Sequence, residues 1–130
     1  LSVNSLPVRI YWEDTDAGGV VYHASYLRFM ERGRTEYLRD RGISQSTLQQ
    51  DLGVTFVVAH MDIRFRQPAR LDDELVVETA AKEIGGASLA LRQKVLRGSD
   101  VLVEADVTCA VISREGRPTR IPAEVKSRLA

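Results

Sequence analysis

The chain has one cysteine, two histidines, one tryptophan and four prolines in 130 residues, and no apolar run that approaches a membrane span. Each scarcity removes a class of explanation. A lone thiol, Cys109, excludes an internal disulfide and a cysteine-rich zinc site, so its expected role is packing in a reducing compartment. His23 and His60 alone do not make a usual zinc ligand set. The leading residues L-S-V-N-S-L-P-V-R lack the charged-then-apolar order of a signal peptide, which predicts a cytoplasmic protein without a membrane span. Neither sign of charge is in excess: 18 Lys plus Arg meet 18 Asp plus Glu, giving no electrostatic reason to expect nucleic acid or an anionic membrane. P-loop, dinucleotide-binding and serine-elbow motifs are absent. The length suits one domain with one core, residues 1–130.

What is present is concentrated in residues 13–23, E-D-T-D-A-G-G-V-V-Y-H, which set two carboxylates, a diglycine and a histidine ahead of a helical pattern. Residues 8–12 are β-branched and aromatic, which predicts a strand ending at this segment. From 24 to 41, Tyr26, Leu27, Met30, Tyr37 and Leu38 recur at three- and four-residue steps with Gly33 between them, and Gly42 is placed to end the helix. Glycine inside a helix costs about 1 kcal/mol relative to alanine, so Gly33 predicts close approach of another backbone. Ser46 and Gln49 form a capping pattern for a short second helix that Gly53 closes. Strand composition follows over residues 54–67, 74–84, 87–97 and 101–113, and Pro122 suits the start of a terminal helix. Residues 54–67 alternate as Thr55, Val57, Ala59, Met61, Ile63 and Phe65 against Phe56, Val58, His60, Asp62, Arg64 and Arg66. The order is α+β, with a long helix on one face of an antiparallel sheet that must curl to be covered. Its long edge strand at 54–67 predicts pairing with a second copy, hence an oligomer.

Several residues have two readings on sequence alone. Asp16 before Ala17-Gly18-Gly19 can approach a substrate as nucleophile or general base, or can merely close its own turn. His23 at the helix start is a neutral donor or orienting group, or an imidazole bonded to a nearby carbonyl. Glu31, Arg34 and Glu36 read as a solvated helix face. Arg64, Arg66 and Arg70 suit phosphate, and equally salt bridges to Asp72, Asp73 and Glu74.

Residues 11–39, Y-W-E-D-T-D-A-G-G-V-V-Y-H-A-S-Y-L-R-F-M-E-R-G-R-T-E-Y-L-R, resemble the signature of hotdog-fold acyl-CoA thioesterases. The chain is most similar to the Tol-Pal-associated subfamily related to 4-hydroxybenzoyl-CoA thioesterase, and F-V-V at 56–58 and P-A-R-L-D-D at 68–73 agree. The resemblance implies a hotdog fold, a curved antiparallel sheet wrapped around one long helix, assembled as dimers or tetramers. It implies hydrolysis of an acyl-CoA carrying a short or otherwise small acyl group, with Asp16 as the carboxylate and His23 at the helix start. Backbone N–H groups of Gly19, Tyr22, His23 and Ala24 then serve as oxyanion donors. Phe56, Val57, Val58 and Met61 become candidates for lining the acyl site, and Arg64, Arg66 and Arg70 for holding CoA phosphates. The resemblance calls for no metal or cofactor; an acyl carrier protein or envelope proteins are possible partners. A noncatalytic acyl-thioester or envelope-assembly module and, less well matched, an enoyl-thioester hydratase are the alternatives.

Overall fold

A computed structural model describes residues 2–129. Across them run β1 (Asn4–Arg9), a 3-10 turn (Trp12–Asp14), α1 (His23–Asp40), α2 (Gln45–Thr47) continuing into a π turn (Leu48–Leu52), β2 (Val54–Phe65), β3 (Glu74–Ile84), β4 (Ser88–Arg97), β5 (Asp100–Ser113) and α3 (Ala123–Leu129). All sheet pairings are antiparallel, in the order β1-β3-β4-β5-β2. This is the α+β hotdog arrangement, one long helix held on a single sheet.

α1 forms where the apolar period predicts and buries Tyr26, Phe29, Met30, Gly33, Tyr37 and Leu38 along one face. Opposite lie Leu75 and Val77 of β3 and Leu91 and Val95 of β4, each at most 1% exposed. Gly33 is the point of closest approach, but to side chains and not to a backbone. A Cβ there would come within 2.8 Å of Val77 and 2.9 Å of Thr79. Beneath it the buried Gln93 donates to the Met30 carbonyl and to Thr79 Oγ1, and accepts from Arg34. Arg34 is therefore half-buried in a polar network and does not lie on a solvated face. Glu36 does pair locally with Arg39, and Glu31 accepts a hydrogen bond from Thr35.

Register shifts interrupt three ladders, at Val58/His60, Ala81/Glu83 and Val95/Leu96. Each extra residue bends its strand and increases local twist, which is how one helix covers five strands. The first shift also breaks the simple alternation expected for residues 54–67. Phe56 and Val58 pair with Val111 and Cys109; past Ala59, Met61, Ile63 and Phe65 pair with Val107, Ala105 and Val103. The face toward α1 is thus Phe56 and Val58, then Met61, Ile63 and Phe65. Val57 and His60 fall on the opposite phase of the strand, although Val57 still borders a cleft beside Arg34 and Leu38.

Other boundaries moved. The first strand covers Asn4–Arg9, not residues 8–12, because Asp14 accepts the Tyr11 N–H and bends the aromatic pair into a 3-10 turn. Pro7 is tolerated since β1 pairs only with β3. β2 stops at Phe65, where the N–H groups of Arg66 and Gln67 both turn to the Leu102 carbonyl. Ser44, not Ser46, precedes the short helix, and Gly53 closes its π turn with φ 67°.

Candidate active site

The segment from Thr15 to Val21 folds back on itself as a tight hairpin, joined by an antiparallel bridge between those two residues. Asp16 N–H donates to the Val20 carbonyl at 2.9 Å, and Gly19 N–H donates to the Asp16 carbonyl at 3.0 Å. The two glycines answer different demands. A Cβ on Gly18 would sit 3.1 Å from Asp16 Oδ1, whereas Gly19 adopts φ 80°, a conformation that other residues resist. Asp16 Oδ1 accepts the Gly18 N–H at 2.8 Å, so the carboxylate closes its own turn and is oriented by it. Its second oxygen has no partner among the described residues, and the side chain is exposed.

Asp14 anchors the hairpin to the helix. Its carbonyl accepts both the Tyr22 N–H, at 2.8 Å, and the Ser25 hydroxyl, at 3.1 Å, while its buried carboxylate pairs with Arg28 at 3.3 Å. Tyr22 is the extended residue before α1, and its carbonyl accepts the Ser25 N–H. These bonds narrow the expected oxyanion donors. The N–H groups of Tyr22 and Gly19 are already engaged, to Asp14 and Asp16, and are withdrawn as donors. Those of His23 and Ala24 have no acceptor among the described residues, as the geometry of a helix start dictates. They lie at the positive end of an 18-residue helix.

Beside this helix start opens a cleft of about 240 Å³, walled by Val21, His23 and Tyr26 on one side and by Phe65, Arg66, Gln67 and Pro68 on the other. His23 meets Phe65 edge-on with ring centroids 6.1 Å apart, and Phe65 in turn lies 5.9 Å from Tyr26. Sequence reasoning missed Phe65, Tyr26 and Pro68 as site residues. The available signal was that P-A-R at 68–70 follows the end of a long strand, where a loop can fold back over the helix start. Asp16 is not part of the cleft wall, although its hairpin ends at Val21, which is, and among the described residues no hydrogen bond joins it to His23.

The expected acyl-lining residues are elsewhere in this chain. Phe56, Val57 and Val58 line a second cleft of about 170 Å³ with Arg34, Leu38 and Cys109. Arg34 and Leu38 are 11 and 15 residues beyond His23, about 16 to 22 Å along the helix at 1.5 Å per residue. Met61 lines neither cleft and packs, half-buried, against the core. Burial raises the Cys109 thiol pKa, opposed by nearby Arg34, so the thiol stays protonated near neutrality and packs as a small apolar group.

Two of the three arginines stay together. Arg64 stands directly opposite Glu104 and Arg66 pairs with that same Glu104 at 2.7 Å, so both line one polar cleft, and Arg66 also borders the cleft beside the helix start; Arg70 bridges to Val20 through its backbone. The expected ion pairs to residues 72–74 are made by others: Arg97 holds Asp73 at 2.9 Å and Arg9 holds Glu74.

The fold has known counterparts. The acyl-CoA thioesterase YbgC of Haemophilus influenzae is 46% identical over 124 residues, which are 95% of this chain and 91% of that protein. The crystal structure of a probable thioesterase from Bartonella henselae has a TM-score of 0.90 at 42% identity, over 93% of this chain and 100% of that one. A variant of 4-hydroxybenzoyl CoA thioesterase, solved with 4-hydroxybenzoyl CoA, has a TM-score of 0.90 at 22% identity over 98% and 99% of the two chains, a shared fold. Residues 10–129 match the thioesterase-like superfamily, and the chain belongs to it.

Proposed function

We propose that the protein hydrolyses acyl-CoA thioesters to a free acid and CoA, with the helix start as oxyanion donor and Asp16 as the reacting carboxylate. The observation that carries this reading is the pair of unengaged N–H groups on His23 and Ala24, beside an apolar cleft and one hairpin away from a free carboxylate oxygen. The thioester carbonyl accepts those two N–H groups, which stabilise the negative charge as it develops. Asp16 then attacks the carbonyl carbon; the C–S bond breaks, CoA leaves as thiolate, and water hydrolyses the resulting anhydride. In the other route Asp16 takes a proton from the water that attacks. A thiol with solution pKa about 8.5 leaves without help from an acid. The His23 imidazole orients the thioester. The acyl group is short or otherwise small, as the subfamily resemblance implies, and the apolar walls of the cleft would receive it.

The Asp16→Asn variant should release thiol from short acyl-CoAs about 100-fold or more slowly while melting within a few degrees of the parent. Near-parental turnover would remove Asp16 from the chemistry.

The same reading includes a second copy of the chain. β2 has a free edge 12 residues long, and Val58 and Phe65 on it are 46% and 49% exposed. Antiparallel pairing of two such edges reverses one strand against the other, so the 56–58 segment of the copy approaches this chain's Phe65 end. That would return Phe56, Val57 and Val58 to an acyl site, one built from two chains. Sedimentation of the free protein, expected to give a dimer or tetramer, tests it. Arg64, Arg66 and Arg70 are the proposed contacts for CoA phosphates: Arg66 borders the cleft, Arg64 lines the adjoining polar cleft with it, and Arg70 bridges to Val20 of the Asp16 hairpin. A single catalytic domain in the cytoplasm, using CoA or an acyl carrier protein, fits the buried thiol and the substrate. A link to the Tol-Pal system rests on the subfamily resemblance alone and is tested by co-purification with Tol and Pal proteins.

A further inference from the structure

Asp14 ties the start of the Asp16 hairpin to the first turn of α1, and a second tie, through the 68–70 segment, holds the other strand of the hairpin. Tyr26 lies on the first turn of α1, three residues past His23, and is 3% exposed. Its hydroxyl accepts the N–H of Ala69 at 3.0 Å, and Ala69 is itself fully buried. The Ala69 carbonyl accepts the Val21 N–H at 2.9 Å, Arg70 forms an antiparallel bridge with Val20, and the Val20 carbonyl accepts the Asp16 N–H at 2.9 Å. A continuous path of hydrogen bonds and short chain segments therefore runs from the helix start, through the 68–70 segment, to the backbone of Asp16.

The 68–70 segment is also held from its outer side. Asp73 accepts the Arg70 N–H at 2.8 Å and the Arg97 guanidinium at 2.9 Å, and Arg97 also donates to the Pro68 carbonyl at 3.3 Å. Tyr26 is the hold from the helix side. Its ring already packs edge-on with Phe29 at 6.1 Å and against Phe65 at 5.9 Å, which phenylalanine would do equally well. What phenylalanine lacks is the acceptor for a buried N–H. Burial raises the Tyr26 pKa, so the group acts as a neutral hydroxyl and not as a base.

We infer that the Tyr26 hydroxyl is a positioning group for thioester hydrolysis, fixing the Asp16 hairpin relative to the His23 and Ala24 N–H groups through Ala69 and Val21. The inference rests on the assignment of Asp16 and those N–H groups as the reacting parts. Small errors of placement are costly in such sites, since about 1 Å of misalignment can lower a rate about 100-fold.

Tyr37 supplies the control. It is also buried on α1 and also uses its hydroxyl, donating to the Leu129 carbonyl at 3.4 Å, but at the far end of the helix. The experiment measures kcat, KM and melting temperature for Tyr26→Phe and Tyr37→Phe, and repeats Tyr26→Phe in the Asp16→Asn background, with a short acyl-CoA as substrate. Amide hydrogen exchange is followed over residues 15–21 and 68–70. The expected result is a kcat about tenfold or more lower for Tyr26→Phe with KM changed less, faster exchange in both segments, and kcat within twofold for Tyr37→Phe. In the Asp16→Asn background Tyr26→Phe should add little, because both act on one element. Parental kcat and exchange in Tyr26→Phe, with Asp16→Asn slow, overturns the positioning role alone. Parental kcat in Asp16→Asn overturns the assignment beneath it, and the inference with it.

Discussion

At the C-terminal end of α1, Arg41, Gly42 and Ile43 turn their N–H groups back onto the carbonyls of Leu38 and Arg39, and Gly42 takes φ 73° to make that turn. The Arg41 guanidinium stacks 3.6 Å over the Tyr37 ring and donates to the Tyr37 carbonyl, while Arg128 donates to that of Gly42. At the N-terminal end the same helix leaves two N–H groups open beside a cleft, with Tyr22 46% and Phe65 49% exposed. Both ends hold a buried tyrosine whose hydroxyl reaches a distant backbone group. At one end that bond pins the terminal helix; at the other it pins the loop leading to a carboxylate. Satisfied polar groups build stability, and the unsatisfied ones are where a substrate oxygen can bind.

The two ends should therefore fail differently. The largest expected effect on stability is from Tyr37→Ala, about 3 to 5 kcal/mol by analogy with other buried aromatics, with little change in kcat of the folded enzyme. A matching loss of kcat would mean that the ends are coupled. In the middle of the helix, Gly33→Ala must push back Val77 and Thr79 and is expected to cost about 1 to 3 kcal/mol, less what alanine returns in helix propensity. A denaturant midpoint shift toward greater stability would show that the sheet yields there. The smallest effect is at the N-terminal end; it is present at neutral pH and disappears in acid. Burial raises the Asp73 pKa, but the Arg70 N–H, the Arg97 hydrogen bond and the charges of both arginines outweigh it, so the net shift is downward. That contribution is complete above the ordinary carboxylate value of about 3.9 and is lost as pH falls through the lowered one. The difference in melting temperature between the parent and Asp73→Asn should hold steady near neutrality and shrink below about pH 4. A difference that instead disappears between pH 5 and 7 would contradict the assignment.

Much of this is legible in the sequence. The period of residues 24–41, Gly42 and the four β-rich runs placed α1 and the sheet, because each depends on local pattern. The phase change at Ala59 was not legible, since a bulge inserts one residue without altering composition. It decided that Phe65 faces the helix start while Val57 falls on the opposite phase of the strand. At the site, the Asp16 turn and the helix start could be read from spacing, but which N–H groups remain free could not. That depends on Asp14 accepting from Tyr22, and on Ala69, 43 residues from Tyr26, folding back against the hairpin. Tyr26 looked like one more apolar position in a helical stripe, because its function lies in a partner distant in sequence.

The central claim is that the backbone at the start of α1, more than the imidazole, stabilises the reacting carbonyl. His23 occupies the first helical position and follows Tyr22 in an extended conformation, φ −62° and ψ 131°, the setting in which proline is best tolerated. His23→Ala removes the imidazole and keeps the N–H; His23→Pro removes both. If the account is right, kcat for His23→Pro falls about 100- to 1,000-fold below that of His23→Ala at similar melting temperature. Equal kcat in the two folded variants would contradict it.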